Sequence, residues 1–113
     1  MVFYKLIYEY LLNHSYIMKL TELKAIQLAE LFSALSDASR VRIISLLIEG
    51  EMSVSALANG LSMTESAVSH QLRGLRQMKL VRSRKEGRQV FYALDDDHVA
   101  KLYLLGLDHV EHG

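Results

Sequence analysis

Toward the end of this 113-residue sequence, Asp96, His98, His109 and His112 offer one carboxylate and three imidazoles. Those donors hold borderline divalent ions, and the set suits tetrahedral Zn(II). The stretch from Asp95 to His112 reads as a helix opened by aspartates, which suit the positive end of the helix dipole. On such a helix His98 and His109 share a face but sit about 16 Å apart along the axis, so one ion cannot bind both. His109 and His112, at i and i+3, can share one. The spacing points to two copies of the helix packed antiparallel about a twofold axis, so that Asp96 and His98 of one subunit meet His109 and His112 of the other in two equivalent sites. Asp95, at i−3 from His98, would replace Asp96 if the helix began earlier; Asp96 is the expected ligand. Each histidine alone would read as an ordinary surface residue.

A second chemistry-bearing group lies upstream. Ser66, Ser69, His70 and Arg73 share one face of a helix, and small hydroxyls beside an Arg and a His can approach base edges and phosphates in a major groove. Thr64 and Gln71 belong to the same stretch and join the candidate DNA contacts. Val68, Leu72 and Leu75, at i, i+4 and i+7, predict the buried stripe of that helix, and Ser62 with Glu65 predicts a capping box at its start. Alone this would be an amphipathic helix with a solvated polar face; its neighbours change the reading. Before it, Ser53 caps a short helix that Asn59-Gly60 ends. After it, Leu80–Arg84 and Gln89–Leu94 read as strands joined by Lys85-Glu-Gly-Arg88. The expected fold is mainly α with a small β-hairpin wing, a winged helix-turn-helix in which Arg84, Lys85 and Arg88 grip the DNA backbone or minor groove.

The elements that position these groups follow from periodicity. Thr21 to Leu35 predicts an amphipathic helix that buries Leu28, Leu31, Phe32 and Leu35. Ser36 or Asp37 caps the next, with Val41, Ile44, Leu47 and Ile48 inward and Gly50 as its stop. Residues 1–17 carry Phe3, Ile7, Tyr10 and Leu11 at helical spacing, interrupted by Lys5 and Glu9, which fits a packing helix or an N-terminal extension rather than a signal peptide or membrane span. Met18 is an alternative start. The length suits one domain over residues 1–113.

Composition bounds the function. Thirteen basic and thirteen acidic residues cancel overall. Yet between His70 and Val90 Arg73, Arg76, Lys79, Arg82, Arg84, Lys85 and Arg88 face only Glu86, whereas from Asp95 onward five carboxylates face only Lys101. A basic DNA face and an acidic terminal element are thus segregated. Cysteine is absent, which removes disulfides and thiolate metal sites; a cytoplasmic protein is the expectation.

Three motifs, Leu31-Phe-Ser-Ala-Leu-Ser-Asp-Ala-Ser-Arg-Val-Arg-Ile-Ile-Ser-Leu-Leu47, Glu65-Ser-Ala-Val-Ser-His-Gln-Leu-Arg-Gly-Leu-Arg76 and Lys85-Glu-Gly-Arg-Gln-Val-Phe-Tyr92, resemble the ArsR/SmtB family of dimeric winged-helix metal-sensing repressors. Ala38 stands where many members have proline, and Gly50-Glu-Met-Ser-Val54 lacks the cysteine of thiolate-using members. The spacing Asp96-x-His98-x10-His109-x2-His112 resembles the terminal-helix site of the family's zinc and cobalt sensors. The resemblance implies a homodimer that binds operator DNA when metal-free and leaves it when Zn(II) binds, releasing genes for metal efflux or sequestration. A His109 ring bond to a backbone carbonyl near Met78 to Leu80 is the expected relay. Two alternatives are a nickel or cobalt sensor of the same fold, with His14 as an extra ligand, and a zinc-binding interaction module without an operator, which the basic helix and wing argue against. No enzyme, membrane or small-molecule substrate is expected: four ligands leave no open position for hydrolytic zinc.

Overall fold

The computed structural model describes residues 20–113, together with residues 5, 7 and 9; apart from those three, the expected helix over residues 1–17 lies outside the described residues. Helix α1, Glu22–Ala34, starts at Thr21, whose hydroxyl accepts from the Lys24 amide. Helix α2, Ala38–Leu47, starts at Asp37 in the same way, with Ile48 at its C-cap and Gly50 at φ +143° beyond it. Strand β1, Met52–Ser53, leads into α3, Val54–Leu61, which Ser53 caps. Helix α4 is Glu65–Gln77, strands β2 and β3 are Val81–Glu86 and Gln89–Leu94, and α5 is Asp97–His112. The architecture is a winged helix-turn-helix, with α3 and α4 as the helical pair and the β2–β3 hairpin as the wing.

Two helix boundaries and the wing turn differ from the sequence reading: Lys85 and Glu86, expected in the turn, extend β2 and pair with Val90 and Gln89. Ser62 does not open α4; it sits in the left-handed region at φ 54°, ψ 42° as the C-cap of α3, and Thr64 caps α4 by accepting from the Ala67 amide at 3.1 Å. The tight turn needs one left-handed residue, and Ser62 occupies that place, which moves the cap two residues on. Helix α3 also runs through Asn59-Gly60 to Leu61, because Leu61 is buried, while Gly60 allows close packing: a Cβ there would meet Leu46 Cδ1 at 3.3 Å.

The hairpin forms with Glu86 paired to Gln89 and Gly87 at φ 61°, a conformation that favours glycine. Strand β1 adds to its edge through Met52 with Tyr92 and Ser53 with Phe91, giving the antiparallel order β1-β3-β2. So short a strand carried no periodic signal.

The core sits between α2, α3 and α4, where Ile43, Leu57, Val68, Leu72 and Leu75 are fully buried and Ile44 nearly so. The expected stripe of α4 is therefore the packed one. In α2, Ile44 and Leu47 face inward as expected, joined by Ile43, while Val41 is 37% exposed and Ile48 half-buried. In α1, Leu31 and Leu35 pack on the core, but Leu28 and Phe32 are 44% and 53% exposed, since they lie on a flank turned away from it. Thr64→Ala should cost about 1 kcal/mol of stability by urea unfolding, whereas Ser62→Gly should leave it unchanged or raise it. The opposite order would put the cap at Ser62.

Candidate nucleic-acid interface and metal ligands

Capping by Thr64 aims the amide-rich N-terminus of α4 outward, and the cap leaves the Thr64 hydroxyl proton free to donate. Ser66, His70 and Arg73 are exposed on the face opposite the buried stripe, and Ser69 is half-buried at its edge. Ser69 lines a groove of about 210 Å³ between α4 and the wing, shared with Ser53, Ser55, Glu65, Arg88 and Gln89. The structure thus brings Ser69 and Arg88 together from distant stretches of sequence. Glu65, absent from the expected contacts, adds a carboxylate to that groove.

Gln71 and Arg84 are placed otherwise than expected. Gln71 is turned toward α2, where its Oε1 accepts from Arg40 Nε at 3.0 Å. Arg84 shares a strand face with Arg82 and Glu86, whereas Lys85 pairs with Val90, which lines the groove. Its guanidinium donates to both oxygens of Glu51, at 2.7 to 3.0 Å, and to Glu86 at 2.6 Å, and stacks 4.6 Å from the Phe91 ring centroid. The Arg84 hydrogen bonds hold the Glu51 carboxyl below its ordinary value of 4.5 and raise the guanidinium's own pKa. The pair's stabilisation is present above that ordinary value and is lost as pH falls through the lowered one. Both side chains are largely exposed, so the contribution is small. Lys85 and Arg88 remain exposed and make no ion pair among the described residues.

Helix α5 carries the other donor set. Asp96 is its N-cap: Oδ1 accepts from the amides of His98, at 2.9 Å, and Val99, at 3.4 Å, while Oδ2 lies 3.3 Å from His98 Nδ1. The bond to the His98 side chain holds the Asp96 carboxyl below the ordinary aspartate range. Asp95 is engaged through its backbone instead, its N–H bonded to the Leu80 carbonyl and its carbonyl to Arg82. At the far end His112 Nδ1 lies 3.0 Å from Asp108 Oδ1 and 3.1 Å from the Asp108 carbonyl. A proton on Nδ1 satisfies both and leaves the Nε2 lone pair for an ion.

The helix is unbroken from Asp97 to His112, so its two donor groups stay separated, and among the described residues no three such side chains converge within one chain. The donor types fit zinc, with one helix end supplying Asp96 and His98 and the other His109 and His112. His14 lies outside the described residues. The expected His109 bond to Met78–Leu80 is not formed in the single chain, among the described residues, where the Leu80 carbonyl accepts from Asp95.

Residues 37–83, the segment from the α2 cap to the first strand of the wing, match the family described as bacterial regulatory protein, arsR family. A Synechocystis protein named transcriptional repressor SmtB homolog is 50% identical over 88 residues, which span 78% of this chain and 67% of that protein. The chain belongs to the ArsR/SmtB family. A Staphylococcus aureus relative named cadmium resistance transcriptional regulatory protein CadC homolog is 44% identical over 66% of this chain and 62% of its own length. The solution structure of a homodimeric winged helix-turn-helix DNA-binding domain from Mycobacterium bovis, described as a possible ArsR-family regulator, superposes with a TM-score of 0.71 at 31% identity, covering 85% of this chain and 93% of that one. The relatives are regulators of transcription rather than enzymes.

The wing geometry sets an order among its cations. Arg88→Ala should weaken binding to all DNA sequences and lower the salt slope of log K by about one unit. Arg84→Ala should change the slope far less, because Glu51 and Glu86 already neutralise that charge. Equal slopes for the two variants would return Arg84 to the interface.

Proposed function

We propose that this ArsR/SmtB protein is a homodimeric repressor that holds operator DNA when metal-free and releases it when Zn(II) binds between the two α5 helices. The observation that carries the reading is α5 itself, with ligand-type side chains at both ends and no way to bring those ends together within one chain. A second copy packed antiparallel closes both sites. The surface supports such packing: Leu104, Leu107 and Val110 are exposed on α5, and Leu35, Val41, Ile44, Val99 and Tyr103 line an apolar groove of about 390 Å³ beside it. The dimeric Mycobacterium bovis domain and the cadmium-resistance relative point the same way. Cysteine is absent from the sequence, so the soft ions that need thiolates are poor effectors, and an imidazole and carboxylate set suits zinc, with cobalt or nickel as the alternative.

Each residue then has a task. Asp96 and His98 hold one half-site, pre-set by the helix cap; His109 and His112 hold the other, His112 oriented by Asp108. The ion, when bound, supplies bonds that fix the two α5 helices in one register. Arg73, Ser66, Ser69 and His70 face the major groove, with Thr64 at the helix start, while Lys85 and Arg88 hold the backbone. The whole is one winged-helix domain acting in the cytoplasm on genes for metal efflux or sequestration. Among the described residues no helix is long and apolar enough to cross a membrane.

Mixed dimers test the site. His98→Ala and His109→Ala homodimers each have both sites damaged, but in their heterodimer one site combines both defects and the other is intact. Mixing the two under exchange conditions should restore one tight zinc site per heterodimer, read by competition with a chromophoric chelator. A mixture of His109→Ala with His112→Ala should stay defective, because both residues serve the same half-site. No rescue in the first mixture would place the ligands within one chain.

A further inference from the structure

The side chain of Arg40, near the start of α2, ties together three helices. Its Nη1 donates to the Ala34 carbonyl at 3.0 Å, in the last turn of α1, where carbonyls have no partner within the helix. Its Nε donates to Gln71 Oε1 at 3.0 Å, on α4. Its own backbone amide is held by the Asp37 cap at 3.2 Å. All three bonds are part-buried, and Arg40 itself is half-buried.

Among the described residues, the other side chains that seat α4 on its neighbours are apolar, chiefly Val68, Leu72 and Leu75. Apolar contacts are non-directional and tolerate small rotations of a helix about its axis, whereas a hydrogen bond has a required direction. A rotation of α4 would swing Ser66, His70 and Arg73 away from base edges while leaving charge and burial almost unchanged. Among the described residues, the Arg40 to Gln71 bond is the side-chain hydrogen bond that joins α4 to another helix, and it restrains that rotation. Its other end grips α1, which carries the exposed apolar residues Leu28 and Phe32.

We infer that Arg40 is a positioning residue for DNA reading: by joining the end of α1 to Gln71 it fixes the rotation of α4, so that discrimination between DNA sequences depends on this bond and non-specific attraction does not. The inference rests on α4 being the DNA-reading helix.

The test uses a duplex selected by the parent protein from a random-sequence pool and a scrambled duplex of the same length. Gln71→Met removes the bond without changing charge and leaves Arg40 on Ala34. It should bind the selected duplex about tenfold more weakly and the scrambled duplex as well as the parent does. Gln71→Glu, whose carboxylate accepts from Arg40, should restore the ratio between the two duplexes. Arg40→Lys, which keeps the charge but not the fork, should lower that ratio even if Gln71→Met does not fold. An unchanged ratio in the folded variants, or equal losses on both duplexes, would overturn the inference. A parent protein that retains no duplex from the pool would remove the DNA-reading role of α4 and the inference with it.

Discussion

The burial of Val68, Leu72 and Leu75 against Ile43, Ile44 and Leu57 is the interaction on which the rest of the molecule depends. It fixes which face of α4 is inside, and so which side chains are left for DNA. A helix presented this way stays seated on α2 and α3 as they move, because close packing resists its separation from them, while directional hydrogen bonds set its rotation. The core contains no buried polar or charged side chain among the described residues, so its packing is insensitive to pH over the range in which histidines titrate. On the proposed reading, regulation acts on the placement of such bodies relative to one another.

The second constraint is the length of α5. An unbroken helix keeps His98 and His109 apart by its rise alone, and no rotamer change brings them to a common ion. A metal site built from both ends is therefore a statement about a dimer. On the proposed reading an ion held there would have leverage over the two copies of α4, because it would act where two bodies meet, beside the exposed apolar face of α5. If zinc releases DNA as proposed, the reciprocal nature of coupled equilibria requires that DNA oppose the ion as strongly as the ion opposes DNA.

Much of this was legible in the sequence because it was periodic. The stripe of α4, the cap at Ser53, the two wing strands and the start of the last helix at the aspartates all follow from spacing and residue type. What escaped had no local signal. Ser62 and Glu65 have the spacing of a capping box, but the turn needs a left-handed residue at Ser62, and tertiary geometry decides that. The Glu51 bond to Arg84 and the Arg40 bond to Gln71 join residues more than thirty positions apart, so no motif could show that these two expected DNA contacts are also bonded within the chain. Charge marked the wing as basic without showing which of its cations were already paired. Leu28 and Phe32 read as core because helical periodicity cannot tell a face that packs within the chain from one left uncovered.

The central claim is that zinc and DNA compete through the shape of one dimer. Its most direct test is to titrate Zn(II) into the protein alone and into its complex with a selected duplex, and to measure DNA affinity with and without saturating zinc. Zinc should bind the complex more weakly than the free dimer, by the same factor by which it weakens DNA binding. Equal zinc affinities for free and DNA-bound protein would contradict it.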